Sequence, residues 1–254
     1  SDIRRHIDDI YNAQVSETSI SAITGKVMEL VTEWQSRTLE KAYPIIFLDA
    51  IHFKVRDNGK VITKAAYTCL GIDIEGQRDV LGLWVTENES AHYWATILSE
   101  LKSRGVEELF IVCIDGLTGF KEAIESIYPK AIIQSCIVHQ IRNAFKYVTR
   151  KDRDALIADL KKIYKAPSKD IAEQALERAD ELWGKKYGVV IRSWRENWHY
   201  LSQYFQFSPA IRKIIYTTNN VENLHRQFRK VTKSKVIFTN DQSLIKILYL
   251  TQKE

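Results

Sequence analysis

Two apolar runs in this chain stop at an aspartate: YPIIFLD at 43–49 and LFIVCID at 109–115. An unbroken apolar run of this length is what a strand buried on both faces requires, so the sheet holding them must be covered on two sides. β-rich sequence surrounds the first run. YPIIFLDAIHFKV, KAAYTCLGIDI and QRDVLGLWVT follow one another across short polar turns containing Asn58-Gly59 and Glu75-Gly76. That is the pattern of an antiparallel meander. Beyond it the period alternates. ESAHYWATILSELKSRG reads as a helix ending at Gly105, LFIVCIDG as a strand, TGFKEAIESIY as a helix, AIIQSCIV as a strand and HQIRNAFKYV as a helix. Three hairpin strands leading into strand-helix-strand-helix predict an α/β chain with a mixed five-stranded sheet flanked by helices.

The flanks differ from this centre. Residues 2–13 carry Ile3, Ile7, Ile10 and Tyr11 at helical spacing, VSETS offers a turn, and ISAITGKVMELVTEWQSRTL reads as a second helix. The pair fits either a helix-turn-helix or a plain helical hairpin. Because the chain opens with Ser inside an amphipathic pattern, we expect a longer protein with further N-terminal sequence. Residues 149–205 are helical in pattern, without a strand signal, and end in the aromatic-rich WRENWHYLSQYFQF.

No apolar run approaches the roughly 18 residues of a membrane span, and no signal-peptide pattern opens the chain. Three cysteines, Cys69, Cys113 and Cys136, predict reduced thiols in a cytoplasmic protein, not a disulfide framework. The net charge of +5 leans toward polyanionic partners without deciding anything alone.

Asp49 and Asp115 share a placement, at the end of an apolar strand run where open α/β sheets hold their ligands. If those strands are neighbours, the carboxylates stand together and need a shared proton or a cation between them. All-oxygen ligation suits Mg²⁺ or Mn²⁺. A third carboxylate would complete a site for two ions, the arrangement that serves phosphoryl transfer. Glu222 is the candidate. From Arg212 to Lys235 it is the single carboxylate among seven Lys and Arg. It also fits a capping box, Asn219-x-x-Glu222, in which it would serve only the helix N-terminus. Asp115 likewise fits an Asp-Gly turn, and Asp49 a polar residue closing its strand.

FLDAIHFKVR around Asp49, ENESAHYW at 87–94, IDGLTGF around Asp115, CIVHQIRN from Cys136 and IYTTNNVENLHRQFRK around Glu222 together resemble one group of enzymes. These are the DDE transposases with a ribonuclease H-like core, specifically the prokaryotic IS256 family, related to eukaryotic Mutator elements. The resemblance covers residues 41–230. It implies that Asp49, Asp115 and Glu222 are a catalytic triad holding two Mg²⁺ (or Mn²⁺) ions, and that double-stranded DNA is cut at transposon ends and joined to target DNA, by a homodimer. It implies a core in two parts, 41–148 and 206–254, interrupted by an all-α insertion domain at 149–205. Residues 1–40 would end an N-terminal DNA-binding region. His225 stands where the family more often has Asn.

Further candidates lie around this constellation. Cys136-x-x-His139 has no second Cys/His pair to complete a zinc site. Similar transposases carry a Cys/Asp-x-x-His signature here, which makes His139 a donor near the scissile phosphate. Arg142 and Lys146 begin a basic run through Arg150, Lys151 and Arg153, read either as a solvated helix face or as phosphate contacts. Arg226, Arg229 and Lys230 follow Glu222 at helical spacing and are read as phosphate contacts. Trp194 and Trp198 share a helical face; such a pair is usually core, with Trp198 the candidate for stacking on a displaced base. Trp94 reads as core and Glu89 as a helix cap. The competing functions are a ribonuclease H-like nuclease that only hydrolyses and a domesticated DNA-binding protein.

Overall fold

The computed structural model describes residues 17–87, 91–116, 119–216 and 219–253, and of residues 17–24, 91–92 and 219–220 the backbone alone. The first helix of the helix-turn-helix reading and Glu89 lie outside the described residues, as does the Asn219 side chain of the capping box.

The meander forms as read. Strand β1 (Ala42–Asp57) pairs antiparallel with β2 (Lys60–Ile72), which pairs antiparallel with β3 (Arg78–Thr86). Asn58 and Gly59 turn the first hairpin with φ of 46° and 78°, the left-handed geometry of a two-residue hairpin loop. Helix α1 (Glu17–Ser36) precedes the meander, and α2 (Ala91–Ser103) leads to β4 (Glu108–Ile114). Helix α3 (Phe120–Ile127), strand β5 (Ile132–Ser135) and helix α4 (Ile137–Ala144) follow. Strands β4 and β5 add in parallel to the free edge of β1, giving the order β3-β2-β1-β4-β5. This mixed five-stranded sheet with its helices is a ribonuclease H-like fold.

One strand is shorter than its composition predicts. AIIQSCIV reads as strand throughout, yet β5 stops at Ser135. The Cys136 N–H bonds the carbonyl of Ile114 at 2.8 Å and the Ile137 N–H that of Tyr216 at 3.2 Å. The chain turns there because β4 ends, and the apolar side chains of Cys136 and Ile137 are buried as the opening of α4 instead.

Alternation along β1 and β4 separates two cores. Ile46, Leu48, Val112 and Ile114 face α2 and α3, where Trp94 stacks on Phe120 at 3.9 Å. Ile45, Phe47, Ile51, Ile111 and Cys113 face the other layer. That layer includes α9 (Asn219–Thr232), through Val221 and Phe228, and α10 (Asp241–Lys253), through Leu244 and Leu248. Helix α1 closes the same side, its buried Trp34 lying 5.3 Å from Tyr249 of α10.

Between α4 and α9 every described element is helical: α5 (Arg153–Tyr164), α6 (Lys169–Glu196, kinked at Tyr187), α7 (Trp198–Leu201), a 3₁₀ turn (Gln203–Gln206) and α8 (Pro209–Ile215). Fully buried Gln134 ties this region to β5. Its amide nitrogen donates to the carbonyl of Leu201 at 3.1 Å, and its oxygen accepts from the Tyr204 N–H at 2.8 Å. The helices thereby cover a strand edge that would otherwise pair with another chain.

Candidate active site

Strand register brings the two aspartates together. β1 and β4 run parallel with Leu48 opposite Ile114, so Asp49 in β1 and Asp115 just past the end of β4 come next, side by side. Period-2 alternation then puts Asp49, between Phe47 and Ile51, on the face that α9 covers. Its position in β1 corrects the sequence reading. Asp49 does not end its strand: β1 continues eight residues further, to Asp57. Past Asp49 it pairs along its length with β2, Asp49 itself lying opposite Thr68, and meets Phe238 in a single parallel bridge at Val55. What ends at Asp49 is the pairing with β4, and that opens the sheet for a site.

Ligand atoms of Asp49, Asp115 and His139 all lie within 4.8 Å of one another. His139 arrives from the first turns of α4, which the Cys136 amide fastens to the end of β4 and the Ile137 amide to Tyr216. Glu222 arrives from the first turn of α9 and lines a cavity of about 160 Å³ together with Asp49, His139, Arg142, His225, Arg226 and Arg229. It stands outside the three-residue cluster. Its Oε1 is 2.7 Å from Nη2 of Arg142, an ion pair that lacks hydrogen-bond alignment, so the buried oxygen keeps unused acceptor capacity. Roomier cavities, about 330 Å³ at the start of β4 and about 660 Å³ under α1, hold no acids from two neighbouring strands.

The electrostatics of the cavity suit a divalent cation. Burial pushes the Asp49 carboxyl up to about 7, opposed by the Ala50 N–H that it accepts at 2.8 Å; Glu222 raises it further, while Arg142 and Arg229 lower it. A carboxyl so raised is one whose ionised form its protein surroundings do not stabilise. Burial and Arg142 hold His139 below its ordinary value, so its ring is neutral at pH 7. With Arg142 Nη1 donating toward Nε2 across 3.4 Å, the ring proton is assigned to Nδ1, which is buried and has no hydrogen-bond partner. Hard carboxylate oxygens with an orphaned polar atom beside them suit a divalent cation and a phosphate oxygen.

His225 is the residue that sequence reasoning undervalued. It is 2% exposed, its Nε2 lies 3.3 Å from Thr68 Oγ1, and its Nδ1 lies 3.7 Å from Asp49 Oδ2. Burial, helped by Arg229 and His139, drives it down to about 3. The ring is therefore neutral, and its approach to Asp49 is a packing contact, not an ion pair. Its spacing of three from Glu222, on the helix face that also carries Arg226 and Arg229, was the available signal.

The remaining candidates divide by place. Arg226 and Arg229 line the cavity, while exposed Lys230 and Lys146 do not, the latter bonding Asn143 Oδ1 at 3.1 Å. Arg153 of the basic run is turned inward, donating to the carbonyls of Val148 and Phe145. Trp94 and Trp194 are core. Trp198 is half-buried, and its indole N–H donates to Glu173 at 2.9 Å. All three cysteines are buried and none forms a disulfide. Among the described residues no helix is long and apolar enough to cross a membrane.

A sheet in this order, with Asp49 on its central strand and Asp115 just past the end of the neighbouring one, defines a ribonuclease H-like chain with an acidic site. The family model described as "Transposase, Mutator family" matches residues 1–254, and the chain belongs to that family. It is 42% identical over 250 residues to a probable transposase for an ISRM3-like insertion sequence of Sinorhizobium fredii, spanning 98% of this chain and 62% of the relative. It is 27% identical over 249 residues to the IS256 transposase of transposon Tn4001 from Staphylococcus aureus, spanning 97% of this chain and 64% of that one. The chain thus spans somewhat less than two thirds of these curated relatives. Among solved structures it resembles the Drosophila P element transposase strand transfer complex, with a TM-score of 0.50, 11% identity, and coverage of 97% of this chain and 88% of that one. At that identity the likeness concerns the fold.

Proposed function

We propose that this chain is the catalytic core of an insertion-sequence transposase, which cuts DNA at the element's ends and joins the freed 3′-hydroxyl to target DNA. The observation that carries the reading is the β1–β4 register, which sets Asp49 beside Asp115 under the helix bearing Glu222. Asp49, Asp115 and Glu222 would hold two divalent cations, Mg²⁺ or Mn²⁺, whose chemistry there is to lower the pKa of an attacking water or 3′-hydroxyl and to offset phosphate charge. His139, neutral and with its Nδ1 proton unclaimed, donates a hydrogen bond to an oxygen of the scissile phosphate. His225 packs behind Asp49 and excludes water from that side of the carboxylate.

Arg142, Arg226 and Arg229 supply positive charge at the cavity, with Lys146 and Lys230 extending it outward along the phosphate backbone. Residues 41–148 and 206–254 form the core in this reading, 149–205 an insertion, and 1–40 the end of a DNA-binding region. Trp198 stacks on a displaced base only if its bond to Glu173 opens. Two DNA ends must be handled together, so the working form is a homodimer on DNA. The deciding experiment is strand transfer by the full-length protein from a pre-cut end. Joining with Mg²⁺ supports the reading, and hydrolysis without joining makes the protein a nuclease.

A further inference from the structure

Glu222 lines the same cavity as Asp49, yet its carboxylate is engaged elsewhere. Nη2 of Arg142 lies 2.7 Å from Glu222 Oε1, and Nη1 lies 3.4 Å from His139 Nε2. One guanidinium thus occupies two groups that the reaction needs. Among the described residues, Arg226 and Arg229 line the same cavity without an ion pair to any acid.

We propose that Arg142 is a positioning residue that couples phosphate binding to assembly of the metal site. Without DNA it pairs with Glu222; when a phosphate enters, Arg142 moves onto it and releases Glu222 toward Asp49 and Asp115. The proposal rests on the reading of those three acids as metal ligands. Three observations support the exchange. The Arg142 side chain is 53% exposed against 21% for Glu222, so the arginine has an open path to solvent. Both side chains are long and stand on anchored helices, α4 by its amides to β4 and Tyr216, α9 by buried Val221 and Phe228, so rotamer changes suffice. And the present contact is a single misaligned one, whereas a phosphate accepts two parallel guanidinium bonds. The ion pair holds the site incomplete until substrate arrives, which limits metal-driven chemistry away from DNA. By linkage, the metal must then raise DNA affinity by the factor by which DNA raises metal affinity.

The test uses the full-length protein, Mn²⁺ and a fluorescently labelled random-sequence duplex. Calorimetry of Mn²⁺ binding without DNA should show Arg142→Gln binding roughly tenfold tighter than wild type, within the usual range of such couplings. Arg226→Gln, which removes the same charge from the cavity without freeing Glu222, should change the affinity much less. Anisotropy at matched ionic strength should show Mn²⁺ strengthening duplex binding by wild type and Arg226→Gln, with most of that gain lost in Arg142→Gln. Circular dichroism melts verify that each variant is folded. Equal effects of Arg142→Gln and Arg226→Gln on Mn²⁺, or weaker binding by Arg142→Gln, overturn the proposal. Asp49→Asn separates the two levels. If it binds Mn²⁺ as wild type does, the metal-site reading itself falls; if it loses Mn²⁺ while Arg142→Gln matches wild type, only the role of Arg142 falls.

Discussion

Replacing Asp49 with Asn should stabilise the metal-free protein at neutral and alkaline pH. The carboxyl moves from an ordinary 3.8 in the unfolded chain to about 7 in the fold, chiefly through burial. Between those values the folded state keeps a proton that the unfolded state has shed. Stability from this group is therefore complete below pH 3.8 and is lost as pH rises through 7. At about 1.4 kcal/mol per pH unit the full loss is about 4 kcal/mol, an upper bound because water entering the cavity screens the charge. The neutral amide is free of this loss and can still accept the Ala50 N–H. Halving the bound for screening leaves about 2 kcal/mol, or roughly 4–8 °C in Tm for a chain of this size. The opposite sign comes from His225. Its folded value near 3 lies below its unfolded one, so it costs stability as pH falls through the unfolded value of 6.5. The wild-type profile mixes both effects, and the difference between wild type and Asp49→Asn isolates the carboxylate. Urea denaturation from pH 5 to 8.5 in EDTA measures it, and the difference should grow with pH. Adding Mg²⁺ should stabilise wild type and leave the variant unmoved. A variant less stable than wild type at pH 8 in EDTA, or a difference that does not change with pH, refutes the reasoning.

Asp115→Asn and Glu222→Gln should each abolish cleavage and joining while gel-shift affinity for DNA stays within a few-fold. Glu222→Gln gives up only a half-exposed ion pair, so its loss of stability should stay within about 1 kcal/mol; full activity in either variant removes that residue from the site. Alanine at Arg226, Arg229 and Lys230 together should flatten the log–log salt dependence of DNA binding by up to about 3, near one per phosphate contact. An unchanged slope places those side chains away from DNA. Gln134→Ala should cost about 2–4 kcal/mol in chemical denaturation, because it leaves the Tyr204 N–H and the Leu201 carbonyl without their buried partner. A cost below about 1 kcal/mol would mean that water replaces the amide.

Much of this molecule is legible in its linear pattern because burial dictates composition locally. A strand covered on both faces has to be apolar along its length, so YPIIFL and LFIVCI announce themselves, and Asn58-Gly59 marks its hairpin through the left-handed backbone that Asn and Gly adopt at little cost. The mixed sheet follows from counting such runs. Lone carboxylates after apolar runs and within a basic helix likewise mark themselves as chemically expensive, which is why Asp49, Asp115 and Glu222 stand out before any fold is known.

What depends on three-dimensional neighbours was not legible there. Composition cannot tell that β1 outruns β4, so Asp49 reads as a strand end when it lies mid-strand. Cys136 and Ile137 look like strand because a buried helix start demands the same apolar side chains as a buried strand. His225 and Gln134 are polar residues whose value lies chiefly in partners distant along the chain, Thr68 and Asp49 for one, Leu201 and Tyr204 for the other. The pairing of Arg142 with Glu222 joins helices 80 positions apart. Sequence thus determined which residues are costly to bury and which backbone each stretch prefers, because those energies are local. Tertiary structure decided which of them meet, because hydrogen bonds and charges act over a few ångströms of space, and only the folded chain sets those distances.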